Sequence, residues 1–348
     1  MSFHQDLDNM TRDMNAASLE VEYMKKTPVL NLILEQKNVK FKGGKKYEGQ
    51  MDTDTTEDTA QDYSVNEALT HGSKDTTEEY SFRRKYSQVP ITIDFEEDLE
   101  NALETQDHTQ LHNLAKHKVK KAQEAMRLHL RKKIYGAASD SSKEIQGLNS
   151  ALIPDATYGN ITRTYSTNVA NYWQPANNAY TSSTYASART LSIQALQGWV
   201  DPLQDLENGG GKFVVIVGNT LFLALKSEAQ ALSRPVEMNV GGTWKYGIDE
   251  MTIEGMRIMK DPFLQTAYNT AMGATTGSAG SLDRRLYCLN VPDWYFMVHP
   301  KDNFRLTSFF DQSQIAGAPR FDLARVFLSG NLICLHPNRS LYFSNVTP

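Results

Sequence analysis

At 348 residues, with 22% charged side chains and a net charge of -5, the chain can bury a substantial core and has no global attraction for nucleic acid or anionic membrane. Its two cysteines, Cys288 and Cys334, lie far apart in apolar strand-like runs, which argues against a disulfide-stapled scaffold and predicts buried free thiols made in a reducing cytosol. The opening run MSFHQDLDNMTRDMNAASLE has no basic-then-apolar leader pattern, and no window reaches the roughly 18 apolar residues of a membrane helix, so neither a secretion signal nor a membrane span is expected.

In chain order, residues 11–26 can form a short amphipathic helix, with Thr11 as its cap and Met14, Ala17, Val21 and Met24 near one face, stopped by Pro28. The run VKFKGGKKYEGQ at 39–50 carries a hairpin signal at Gly43-Gly44, and 80–95 is a return strand in which Ile91, Ile93 and Phe95 alternate. The polar stretch between them has almost nothing to bury. A two-stranded ribbon of this kind is marginal in water, so a neighbouring copy is expected to order it. From 94 to 107 there are seven acids and no Lys or Arg; from 109 to 135 there are eight bases and one acid. In that second run Leu111, Leu114, Ala115, Val119, Ala122, Met126, Leu130 and Ile134 recur at spacings of three and four, defining one face of a helix 27 residues long, a rod of roughly 40 Å. Acids ahead of it and Arg131, Lys132 and Lys133 in its last turn suit the helix dipole.

Residues 147–175 read as short strands and turns, and 185–206 as a helix leading to Gly209-Gly210-Gly211. A continuous apolar strand at 213–217 and a helix at 220–232, capped near Asn219, suggest an α/β subdomain. A hairpin is expected at 244–260, a surface loop at 271–281, two strands around Pro292, and two or three strands after 326 broken by turns at Gly330-Asn331 and Pro337-Asn338.

Little in this pattern supports catalysis. GGGK at 209–212 precedes a strand, whereas a phosphate loop follows a strand and opens a helix. Of the helix histidines His112, His117 and His129, only His112 has an i, i+4 partner, His108, and an exposed polar face is the favoured reading over a metal site; the acidic clusters at 52–62 and 94–107 do not match a Ca²⁺ loop. No serine sits in GxSxG and neither cysteine has a nucleophile's context, so no catalytic set, metal or cofactor is expected. The basic helix stripe Lys116, Lys120, Lys121, Arg127 and Arg131 suits either DNA phosphates or acidic protein surfaces, the latter favoured because acidic runs lie in the same chain.

The segment GNITRTYSTNVANYWQP at 159–175 resembles the stretch after the spine helix in tailed-bacteriophage major capsid proteins, with its Tyr-Gly, an Arg shortly after and a Trp ahead of a polar turn. YGIDEMTIEGMRIMKDP at 246–262 resembles that family's axial hairpin, and GNLICLHPNRSLYFSNV at 330–346 its closing strands. The resemblance runs from about residue 30 onward, and the order of the motifs carries it. It implies an α+β chain with the Hong Kong 97 phage-type fold: an N-terminal arm (1–36), an E-loop hairpin (37–93), a P-domain (94–195) with spine helix 109–135, an A-domain (196–319), and C-terminal strands (320–348) returning to the P-domain.

That family's role would be self-assembly into hexamers and pentamers of an icosahedral shell around packaged double-stranded DNA, in a virion assembled in the host cytoplasm through a procapsid that matures. Implied partners are copies of itself, a separate scaffolding protein, a portal protein, decoration or cement proteins, and DNA held non-specifically; no membrane is implied. The E-loop bases Lys40, Lys42, Lys45, Lys46, Arg83, Arg84 and Lys85 are expected to face a neighbour's acids Asp94, Glu96, Glu97, Asp98, Glu100 and Glu104, and deletion of 45–80 to leave a folded subunit without shells. The alternatives are an encapsulin-like protein compartment and an α/β enzyme built on the strand at 213–217.

Overall fold

The computed structural model describes residues 28–35, 39–41, 43–52, 62, 77–94, 108–154, 156–163, 173–176, 188–206, 212–231, 250–253, 256–264, 282–311 and 321–348. Helix α1 (Pro28–Glu35) opens the described chain. Pro28 is its first residue: the fixed φ and missing N–H of proline suit the first helical position. The helix expected at 11–26 lies outside the described residues. Next come β1 (Val39–Phe41), β2 (Lys46–Asp52), β3 (Thr77–Arg83), β4 (Lys85–Asp94) and α2 (His108–Ile134). The spine helix has the predicted extent. Val119, Ala122, Met126, Leu130 and Ile134 are buried along one side of it.

The region read as strands and turns holds a short helix, α3 (Leu148–Leu152), then the small hairpin β5 (Thr157–Tyr158) and β6 (Ile161–Thr162); β7 (Arg189–Thr190) lies within the span 185–206 expected to be helical, where the helix itself begins only at Ile193. Helix α4 (Ile193–Leu206), β8 (Phe213–Val217), α5 (Asn219–Ala231), β9 (Glu250–Ile253) and β10 (Met256–Lys260) follow, close to expectation. The last strands are β11 (Leu286–Asn290), β12 (Trp294–Val298), β13 (Arg305–Leu306), β14 (Phe310–Asp311), β15 (Phe321–Cys334), β16 (Leu341–Phe343) and β17 (Val346–Thr347). The loop expected at 271–281 lies outside the described residues.

Two sheets dominate the described chain. The first is organised by β15, which pairs along one edge with β4, from Phe321↔Asp94 to Gly330↔Lys85, and along the other with β12, β13 and β14; β1 adds in parallel to β12. The second has the order β16-β11-β8-β10-β9, with β8 and β10 parallel and the other pairs antiparallel. Every residue of β8 is buried because the sheet is covered on both faces. Val214 and Ile216 belong to the main core that also holds the buried stripe of α2, while Val215 and Val217 belong to a second core with Leu196, Val200, Leu221 and Leu225 of α4 and α5.

Three local expectations are corrected. Gly43-Gly44 closes no hairpin: the strand before it joins β12 and the strand after it joins β3. The return strand is divided at Arg84, so that β3 pairs with β2 and β4 enters the main sheet. Gly330-Asn331 is not a turn, for β15 runs straight through it; a Cβ on Gly330 would lie 2.5 Å from the Met297 carbonyl oxygen, so glycine serves close strand approach there.

Candidate assembly surface

The β2–β3 ribbon pairs in full register from Lys46↔Arg83 to Asp52↔Thr77 and leaves the main sheet at Arg84, whose backbone N–H donates to the Lys45 carbonyl. Its root is held within the subunit, by aromatic side chains. Tyr80 stacks on Tyr47 at 6.0 Å and on Trp173 at 5.5 Å, and Phe82 meets the edge of Tyr158 at 4.9 Å. Burial and the neighbouring Tyr47 push the Tyr80 hydroxyl pKa up to about 12. The Trp173 indole N–H donates to the Tyr158 carbonyl at 2.8 Å, and the Ser81 N–H to the Gly159 carbonyl at 2.8 Å. Gly159 sits at φ 61, where a Cβ would come within 2.8 Å of the Phe82 ring. The expectation that a neighbour must order the ribbon is thus revised for its root.

Beneath this clasp lies Arg163, fully buried. Its guanidinium donates to the carbonyls of Ala156 (2.7 Å), Ala151 (2.6 Å), Ile153 (2.7 Å), Ser150 (3.3 Å) and Trp173 (3.4 Å). Three of these belong to the C-terminal end of α3, where orphan carbonyls and the helix dipole favour a cation. The Tyr-Gly, Arg and Trp singled out in the sequence are therefore one unit in space.

The predicted bases separate into several settings. Lys40 places its ammonium 3.7 Å from the centre of the Tyr295 ring. Lys45, Lys46 and Arg83 are exposed, Lys46 with Glu48 at 3.4 Å, and Arg84 is half-buried. Lys42 lies outside the described residues. Lys85 is turned inward and cannot serve as a surface base: it is 4% exposed, and its ammonium donates to the carbonyls of Asp140 (2.8 Å) and Ser142. Burial pushes its pKa down. Of the predicted acids, Asp94 is exposed at the opposite end of β4, and Glu96, Glu97, Asp98, Glu100 and Glu104 lie outside the described residues.

Along α2, Lys116, Lys120 and Lys121 are exposed and Arg127 is half-buried, while Lys118 donates to the Thr92 carbonyl at 2.9 Å and pins the helix to β4. Arg131 departs from the expected outer stripe. It pairs with Asp261, which is fully buried and also accepts the Tyr135 hydroxyl at 2.5 Å and the Phe263 N–H at 2.8 Å. Tyr135 stacks on Phe263 at 6.0 Å. This cluster fixes the end of the spine helix to the exit of β10, and burial with Asp261 beside it raises the Tyr135 pKa well above the ordinary value.

A second polar node escaped sequence reading. The two short links that carry the chain between the sheets, β11 to β12 and β15 to β16, are tied together at Asp293, whose carboxylate accepts Asn290 Nδ2 at 2.7 Å and lies 2.8 Å from His336 Nδ1, and whose carbonyl accepts the Leu335 N–H at 3.0 Å. Ser340 Oγ accepts both the Asn290 N–H and the Trp294 indole N–H at 3.2 Å. Only its buried carboxylate could have marked the node in sequence, and Asp293 resembles any loop acid there.

Among the described residues no three His, Cys, Asp or Glu gather as a metal site, and no helix is long and apolar enough to cross a membrane. Cys288 and Cys334 are free and buried as expected. Burial pushes the Cys288 thiol up to about 12 and holds Cys334 well above its usual range. Iodoacetamide at pH 8 should therefore alkylate the native protein at least roughly 100-fold more slowly than the urea-unfolded chain; fast labelling of either thiol by mass spectrometry under native conditions would contradict this burial.

No protein-family model matches the sequence, and no curated protein matches it. The fold is similar to solved capsid structures. The capsid asymmetric unit of cyanophage A-1(L) matches at TM-score 0.64 and 12% identity over 92% of this chain and 93% of that one. The capsid of the native GTA particle matches at TM-score 0.52 and 10% identity, over 91% and 90% of the two chains, and that of the empty GTA particle at 0.51 and 10%, over 89% and 96%. The chain has the α+β Hong Kong 97 phage-type capsid fold that its motifs resemble.

Proposed function

We propose that this chain is the structural subunit of an icosahedral shell, assembling as hexamers and pentamers around packaged double-stranded DNA, and that it is not an enzyme. The observation that carries this reading is the β2–β3 ribbon, an arm clasped at its root by the subunit's own aromatic residues and attached to a body with a capsid fold. An arm held at one end, whose two strands pair only with each other as a sheet among the described residues, is suited to lie on another copy of the chain. The E-loop bases Lys40, Lys42 and Lys45 would face a neighbour's acids from Asp94 to Glu104. The exposed α2 bases Lys116, Lys120 and Lys121 add a surface for protein or for DNA phosphates. Scaffolding, portal and decoration proteins complete the set of partners, in a virion assembled in the host cytoplasm.

The test is to remove the arm while sparing its clasp. Because Tyr80 belongs to the clasp, deletion of 45–80 would damage the body; replacing residues 51–78 by Asn-Gly closes a two-residue turn on the Gln50↔Glu79 pair instead. The shortened chain should keep the native melting temperature within a few degrees and form no closed shells by negative-stain electron microscopy, where the native chain, with a scaffold if one is required, forms angular shells. Shells of native diameter from the shortened chain would overturn the arm's role. Shells that enclose protein cargo and no nuclease-protected DNA would point to a protein compartment.

A further inference from the structure

A polar cleft of about 740 Å³ opens at the root of the arm, between β2–β3 on one side and the segments 137–141 and 156–160 on the other. Lys46 and Arg83 stand on its arm side, with Ser139, Ser141, Thr157 and Asn160 opposite, all six exposed. One acid, Asp140, lines it, and that carboxylate is already satisfied from within the subunit by the Asn160 N–H at 2.8 Å and by Gln146 Nε2. The cleft therefore presents two cations and a row of hydroxyl and amide donors, a surface built for carboxylates. Lys46 is shared with Glu48, but that pair is largely solvent-exposed and easily exchanged.

The chain carries a matching segment. The run DTDTTEDTAQD at 52–62 holds five acids and no base, with short side chains between them. Its first acid, Asp52, ends β2, and Lys46–Asp52 spans about 20 Å of extended strand, so Asp52 stands far along the ribbon from its own cleft. We propose that the cleft of one copy receives the acidic run 52–62 of a second copy, in a head-to-tail contact of the kind that closes rings. The proposal rests on the shell-subunit reading and adds to it the site and the acidic peptide that fills it. The polarity is specific: the tip of the arm is the donor of negative charge, and the root of the next arm is its acceptor.

The test reverses the charges on the full chain. Lys46→Glu with Arg83→Glu should raise the concentration needed for assembly at least tenfold. These residues face each other across the ribbon, so one like-charge pair is exchanged for another and the thermal melt of the subunit should be unchanged. Adding Asp54→Lys and Asp58→Lys to the same chain should restore assembly, while those two substitutions alone should impair it. In mixtures of isotopically heavy and light native copies, a carbodiimide should join Lys46 to acids of 52–62 between heavy and light chains, and about 1 M salt, which shortens the Debye length to about 3 Å, should suppress the link. Undiminished assembly of the Lys46→Glu, Arg83→Glu chain, or links formed only within one copy, would overturn the proposal and leave the shell reading intact. A native chain that forms neither rings nor shells in the same experiment would remove the shell reading, and the native control separates the two outcomes.

Discussion

Replacing Arg163 by Met is expected to lower the unfolding free energy by roughly 5 kcal/mol, enough to consume much or all of the marginal stability of a typical domain. Methionine fills most of the same volume, so the loss isolates the hydrogen bonds. Five carbonyls, from Ser150, Ala151, Ile153, Ala156 and Trp173, converge on the guanidinium of a fully buried side chain. An unsatisfied buried acceptor costs about 1–3 kcal/mol, and the two longest of these bonds contribute least. Arg163→Lys should recover only part of the loss, because an ammonium on a flexible stem cannot reproduce a planar fork. Urea unfolding followed by tryptophan fluorescence reads the effect, and Trp173, bonded through its carbonyl to Arg163, is a built-in reporter. A loss below about 1 kcal/mol for Arg163→Met would show that the carbonyl cradle does not hold the body together.

The second large effect is expected at Asp261. Asp261→Ala should destabilise by about 3 kcal/mol, because it leaves the partly buried Arg131 guanidinium, the buried Tyr135 hydroxyl and the Phe263 N–H without their shared acceptor. Tyr135→Phe, which removes one hydroxyl and keeps the stack on Phe263, should cost about 1 kcal/mol. The contrast between the two is the diagnostic. Equal losses would mean that aromatic packing, and not the carboxylate, anchors the spine helix to the second sheet. Hydrogen exchange would sharpen the reading: in Asp261→Ala the amides of the last turn of α2 should exchange ahead of those around Met126.

The parts of the fold written in local pattern were legible. The three-and-four spacing of α2 gave both its length and its buried side, since one side chain in three or four must meet the sheet. The all-apolar β8 was legible as a strand because five buried residues bounded by polar ones are too few for a helix. What failed was punctuation. Gly43 and Gly330 each read as a turn, yet Gly330 admits a neighbouring carbonyl and Gly43 marks a change of sheet. The same residue type serves all of these ends, and only the partner strand decides between them. The partner was out of reach of any window: β1 pairs with β12 from the far side of the sequence.

The site was legible as a set of charges and not as a set of contacts. Lys85 and Arg131 stand among lysines and arginines that look alike in sequence, and the structure turns both inward, one to two carbonyls and the other to a carboxylate. A basic run states how much positive charge a segment carries; the direction of each side chain depends on packing from segments far along the chain. The aromatic clasp was half visible, as a motif whose residues were named without their common purpose.

The path of the chain between the two sheets bears on how the protein is made. The second sheet receives β16 only after the chain has left it, built β12 to β15 elsewhere, and come back: Leu286 waits for Phe343, and β7 waits for β17. During synthesis β11 therefore leaves the ribosome with one edge open, and it stays open until the segment around 341–347 follows. Such late closure slows folding, since the pairing joins distant positions. A chain broken off before that point would keep the β16 edge of β11 unpaired.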